Sequence, residues 1–123
     1  MLDLASRDAG YITAYFGKFH HGTQKERPGF DIVYSFIDQG RYDDCPFNIN
    51  GAITPTQGWV DDVTTGFVID FLKNRKPGDK PFDIVLGFKS PHDPRIPADR
   101  AADRFRGEKV RPVPNLEWRS PFP

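Results

Sequence analysis

Between Pro81 and Pro91 stands a nearly continuous apolar run, Phe82-Asp83-Ile84-Val85-Leu86-Gly87-Phe88. Such a run suits a strand covered on both faces, as in a parallel sheet sandwiched by helices. That requirement narrows the fold, because a strand of this kind needs neighbours beside it and helices above and below. A second strand is legible in Tyr11-Ile12-Thr13-Ala14-Tyr15-Phe16, β-branched and aromatic without a breaker and ending at Gly17. A weaker candidate is Asp31-Ile32-Val33-Tyr34-Ser35-Phe36-Ile37. The clearest element covers about 57 to 73, where Val60, Val63, Phe67, Val68, Phe71 and Leu72 recur at three- and four-residue steps and share one side of a helix. Asp61 and Asp62 open it, Lys73, Arg75 and Lys76 close it as the helix dipole favours, and Pro77-Gly78 stops it. Residues 2–9 read as the end of a short helix stopped by Gly10, and 97–105 as another short helix. The order of helix, strand, loop, helix, strand and loop predicts an α/β architecture. Two strands cannot bury the 82–88 run on both sides, so the expectation is a fragment of a larger α/β domain.

Length and charge limit the rest. The 123 residues suffice for one small domain. With 11 glycines and 12 prolines the chain is rich in loop formers. They concentrate in an irregular region at 23–56, which holds Pro28-Gly29, Gln39-Gly40, Cys45-Pro46 and Asn50-Gly51, and in an extended proline-rich tail at 107–123. Lys plus Arg is 17 and Asp plus Glu is 17, a formal charge of zero. That balance argues against nucleic acid as an electrostatic partner and against attraction to anionic membranes. One cysteine excludes an internal disulfide and a cysteine-based zinc site. No stretch approaches the roughly 18 apolar residues of a membrane span. The first eight residues carry acids where a secretory signal would place an unbroken apolar run.

The ionisable side chains with chemical promise fall in two loops, each after a predicted strand. The first is Gly17-Lys18-Phe19-His20-His21-Gly22 and the second is Lys89-Ser90-Pro91-His92-Asp93-Pro94; together they hold all three histidines. In open α/β sheets ligands bind beyond the carboxyl ends of strands. Lys18 and His20 are two apart, so on an extended segment both side chains point to one side. Pro91 and Pro94 restrict the backbone around His92. A lysine and two histidines in one cleft suit an anionic ester, the ammonium holding the oxyanion and an imidazole protonating the leaving oxygen. Each residue also has an ordinary reading: a histidine in a glycine-flanked loop is usually just solvated, and a lysine usually lies on the surface. His20-His21 is a poor metal pair, since adjacent strand side chains point apart and spacing supplies no carboxylate partner. Asp61-Asp62 is explained by its helix start and Asp43-Asp44 by a turn-like stretch, in place of a hard-cation site. Cys45 reads as a buried or free thiol, not a nucleophile.

Ala9-Gly10-Tyr11-Ile12-Thr13-Ala14-Tyr15-Phe16-Gly17-Lys18-Phe19-His20 resembles a segment of the sulfatases, the formylglycine-dependent sulfuric ester hydrolases of the alkaline-phosphatase-like superfamily. Gly29-Phe30-Asp31 resembles the stretch that follows it there, and Lys80-Pro81-Phe82 with Gly87-Phe88-Lys89-Ser90-Pro91-His92-Asp93-Pro94 resembles a later strand and loop. The resemblance implies a partial alkaline-phosphatase-like sandwich, with residues 1–123 as the central fragment of a sulfatase catalytic domain. It implies that Lys18 contacts the sulfate, that His20 bonds the formylglycine hydroxyl, and that His92 assists the leaving group. Phe19 stands where the family often has Trp, and His21 where Leu is common. Cys45-Pro46-Phe47-Asn48-Ile49 does not fit the family's nucleophile motif. The formylglycine and the calcium ligands are therefore expected outside this chain. Implied partners are a sulfated small molecule or carbohydrate, and family members are often periplasmic, lysosomal or secreted. The fragment alone is expected to be inactive. The rival expectations are a phosphate or phosphonate monoester hydrolase of the same superfamily and a non-catalytic binding module.

Overall fold

The computed structural model describes residues 2–21 and 27–112. Its centre is a five-stranded mixed sheet in the order β4-β3-β2-β1-β5. The strands are β1 (Ile12–Lys18), β2 (Ile32–Phe36), β3 (Phe47–Ile49), β4 (Ala52–Thr54) and β5 (Phe82–Gly87), with helices α1 (Leu2–Asp8) and α2 (Val60–Lys73). β1 lies parallel to both β2 and β5, whereas β3 and β4 run antiparallel. The α/β expectation holds.

Burial follows from place in this order. β1 has a strand on either side, and Thr13 to Gly17 are all buried. Alternate residues face opposite layers. On one face an aromatic spine ties the sheet to α2. Phe71 packs on Phe16 and Phe82 with ring centroids 6.1 and 5.6 Å apart, and Phe67 packs on Tyr34 and Phe47 at 5.1 and 5.2 Å. Next to it lies the core of Phe36, Tyr42, Cys45, Phe47 and Val60. On the opposite face Tyr15 meets Phe19 and Phe30 edge-on at 4.9 and 5.3 Å. Asp31 is locked to β1 there: Thr13 N–H donates to its Oδ2 at 3.0 Å, and Asp31 N–H donates to the Thr13 carbonyl at 2.9 Å.

Several boundaries differ from the sequence reading. β1 runs through Gly17 and Lys18 instead of stopping at Gly17. The irregular region at 23–56 contains three strands, because Asn50 and Gly51, at φ 48° and 97°, close a tight hairpin between β3 and β4. Residues 97–105 form only the 3₁₀ turn Asp99–Ala101 followed by turns. Leu72, assigned to the apolar face of α2, is 43% exposed. The largest correction concerns the 82–88 run. β5 is an edge strand paired with β1, and Phe82, Val85, Leu86 and Phe88 are 42, 40, 38 and 48% exposed. α2 lies over the β1–β2 side and reaches β5 chiefly through Phe71, so neither face of β5 is sealed. Residues 107–112 have no helix or strand, and the rest of the proline-rich tail lies outside the described residues.

Candidate functional site

The two loops singled out from the sequence meet because β1 and β5 are parallel neighbours whose carboxyl ends are in register, Gly17 opposite Gly87. The approach depends on both residues being glycine. A Cβ on Gly17 would lie 2.0 Å from the Gly87 carbonyl oxygen, and one on Gly87 would lie 2.5 Å from the Lys18 carbonyl oxygen. Gly17 also sits at φ +91°, a conformation that side chains resist. The buried Tyr15 hydroxyl donates to the Lys18 carbonyl and fastens this tip from below.

Lys18 and His20 come together on the side chain of Gln39. Lys18 Nζ donates to Gln39 Oε1 at 2.7 Å, and Gln39 Nε2 lies 2.6 Å from His20 Nε2. The sequence reading placed both on an extended segment. The strand ends at Lys18, however, and His20 adopts φ 59°, so a turn and not strand alternation directs its ring. From the β5 tip comes Lys89, only 4% exposed, whose Nζ donates to the Gln39 carbonyl at 2.9 Å and lies 4.8 Å from the centre of the Tyr42 ring. Burial and the nearby Lys89 charge hold Lys18 below the ordinary lysine range, with Asp38 opposing them. Two ammonium groups thus share a corner with one imidazole, which disfavours cations there and favours an anion.

His92 is carried on the loop that follows β5. The carboxylate of Asp61, buried at the start of α2, accepts the Lys89 and Ser90 N–H groups at 2.8 and 3.0 Å. The Tyr42 hydroxyl donates to the His92 carbonyl at 2.6 Å. The backbone of His92 is therefore tied to the same corner as Lys89. Its ring is exposed, with Nδ1 2.9 Å from the Asp93 carbonyl, and makes no hydrogen bond to Lys18, His20 or Gln39 among the described residues.

Sequence reasoning missed Gln39, Lys89, Tyr42 and the bracing role of Asp61. Lys89 carried a signal, since it stands in the same motif as His92; Gln39 lies in a turn 21 residues from Lys18 and carried none. The other acidic pair is structural, Asp44 Oδ1 accepting the Gly58 N–H at 2.8 Å. Cys45 is buried, and burial raises its thiol above the ordinary range, as befits an inert core thiol.

The Sulfatase family model matches residues 2–114. The chain belongs to the sulfatase family. It is 37% identical over 97 residues to the N-acetylglucosamine-6-O-sulfatase of Bacteroides thetaiotaomicron, a match covering 76% of this chain and 17% of that protein. A solved structure of BT4656 in complex with its substrate D-glucosamine-2-N,6-O-disulfate superposes with a TM-score of 0.82 and 32% identity, over 95% of this chain and 24% of that one. Ps i-CgsB in complex with k-i-k-neocarrahexaose shares the fold at a TM-score of 0.77 and 20% identity, over 89% of this chain and 30% of that one. The chain spans less than a fifth of the length of the curated relatives it matches. These neighbours bear out the partial alkaline-phosphatase-like fold.

The family in general employs a formylglycine and a metal. Among the described residues, no group of three or more His, Cys, Asp or Glu side chains is placed to hold a metal ion. Cys45, buried with its sulfur 3.7 Å from the Pro46 carbonyl, is no nucleophile precursor. The described residues thus fit neither group, and the chemistry attributed to them involves neither.

Proposed function

We propose that the protein carrying this chain hydrolyses sulfate esters and that Lys18, His20 and His92 line one side of its sulfate pocket. The observation that carries this reading is the meeting of Lys18, His20 and Lys89 around Gln39 at the joined tips of β1 and β5. In this role the Lys18 ammonium holds a sulfate oxygen and offsets charge that grows in the transition state. His20 gives the same group a directional hydrogen bond. His92, exposed on a loop braced by Asp61 and Tyr42, is free to turn its ring toward the bridging oxygen and protonate the departing alcohol. A calcium ion and a formylglycine would come from residues outside this chain.

The substrate class we infer is a sulfated amino sugar, supported by the names of the Bacteroides relative and of the ligand bound to BT4656. The family model and the curated relatives are described as sulfatases, so a phosphate-ester hydrolase is not favoured. The test is sulfate release from glucosamine 6-sulfate by the full-length protein. Lys18→Ala and His92→Ala are each expected to lower kcat/KM by about 10²- to 10³-fold. Turnover at the parental rate in both variants would remove the site assignment. Hydrolysis of phosphate esters in preference to sulfate esters would remove the reaction class.

A further inference from the structure

Gln39 holds three partners at once, and the polarity of one contact dictates that of the next. A protonated lysine has only hydrogens to give. The carboxamide oxygen must therefore face Lys18, as it does at 2.7 Å, which turns the NH₂ group toward His20. That NH₂ can only donate, so the ring atom it meets 2.6 Å away, Nε2, must be the bare nitrogen. The opposite amide orientation would press NH₂ against an ammonium, donor against donor. The main chain is bent to make the contact. His20 at φ 59° and Asp38, next to Gln39, at φ 50° both occupy the left-handed region. Residues held there mark places where the surrounding structure enforces a geometry. The Gln39 carbonyl also takes the Lys89 ammonium at 2.9 Å, so the charged groups of this corner are Lys18, Lys89 and Asp38.

We propose that Gln39 is a positioning residue that holds Lys18 and His20 together and keeps the neutral imidazole of His20 protonated on Nδ1, with Nε2 bare. Nδ1 makes no hydrogen bond among the described residues, so its N–H is the donor left for an anionic ester. The catalytic consequence rests on the sulfate-pocket reading; the tautomer does not. Free histidine prefers the other tautomer, so Gln39 must impose this one.

Nitrogen NMR of the full-length protein labelled at its histidines, taken without substrate, reads the tautomer directly. The expected wild-type pattern for His20 is a protonated Nδ1 and a bare Nε2. Gln39→Glu puts acceptors toward both partners and is expected to move the proton to Nε2, and Gln39→Leu to restore the preference of free histidine. A protonated Nε2 in the wild type, or an unchanged tautomer in a folded Gln39→Glu variant, would overturn the proposal. Should that variant not fold, the wild-type spectrum still decides. Sulfatase assays separate the two readings: a wild type that shows the expected tautomer and no sulfatase activity removes the function alone.

Discussion

Lys18 sits where burial and the Lys89 ammonium both oppose its charge, so its proton leaves below the ordinary lysine value of 10.5. Between the lowered folded midpoint and the unfolded one, the unfolded chain binds more protons, so stability rises with pH across that window. Below the folded midpoint the penalty is constant. An anion at the corner acts in the opposite sense and favours the charged form. Nitrogen titration of the Lys18 ammonium by NMR is expected to give a midpoint below 10.5 that moves upward in Lys89→Met and upward again with added sulfate. A midpoint indifferent to Lys89 would show that the two charges do not interact. Lys18 and His20 were legible in the sequence because they share one short motif. Gln39 was not, because its role comes from the left-handed turn at Asp38, which brings a distant side chain between them.

The site belongs to two strand tips and the helix start that braces them. Gly17 and Gly87 allow β1 and β5 to close on each other, and Asp61 at the start of α2 holds the Lys89–Ser90 backbone. Gly17→Ala must accommodate both a φ of +91° and a Cβ 2.0 Å from the Gly87 oxygen. It is expected to cost about 3–5 kcal/mol, measured by urea denaturation, and to abolish the 2.7 Å contact between Lys18 and Gln39. A loss within the ordinary surface range would mean that the tips have room to part. The elements were legible where local pattern was strong, as in β1, α2 and β5, and β2 was a weaker candidate. The hairpin of β3 and β4 was missed even though Asn50-Gly51 lies between two short β-prone runs, the usual signature of a primed turn. Read as loop punctuation in a proline-rich region, that dipeptide hid two strands. The helix expected at 97–105 shrank to one turn, in a segment whose one buried residue is Ala98.

The molecule as a whole carries a covered centre and two exposed edge strands, β4 and β5, of which β5 holds the larger group of apolar side chains. Around β2 and β3 the aromatic spine and the core close over the sheet, whereas β5 leaves Phe82, Val85 and Leu86 with roughly two-fifths of their surface in solvent. Apolar surface grouped in this way is a place for other chain or an apolar probe to adhere. The 123-residue chain on its own is expected to bind a hydrophobic dye while folded, and Val85→Lys with Phe88→Lys to suppress most of that binding without loss of the circular-dichroism signal. Absence of dye binding by the parent chain would mean that these side chains are covered in solution.

Composition, the helical period of 60–72 and the β-branched and aromatic strand at 11–16 were enough to foresee an α/β chain, because these signals act between near neighbours. The Gly-Lys-x-His and Pro-His-x-Pro motifs likewise marked the two loops that meet at the joined tips of β1 and β5. Strand order lay beyond local pattern, and with it the exposure of β5, the convergence of Lys18 and Lys89, and the place of Gln39 between lysine and imidazole. Those features depend on parallel pairing of strands some seventy residues apart and on close backbone approach at Gly17 and Gly87, contacts that exist only once the sheet has closed.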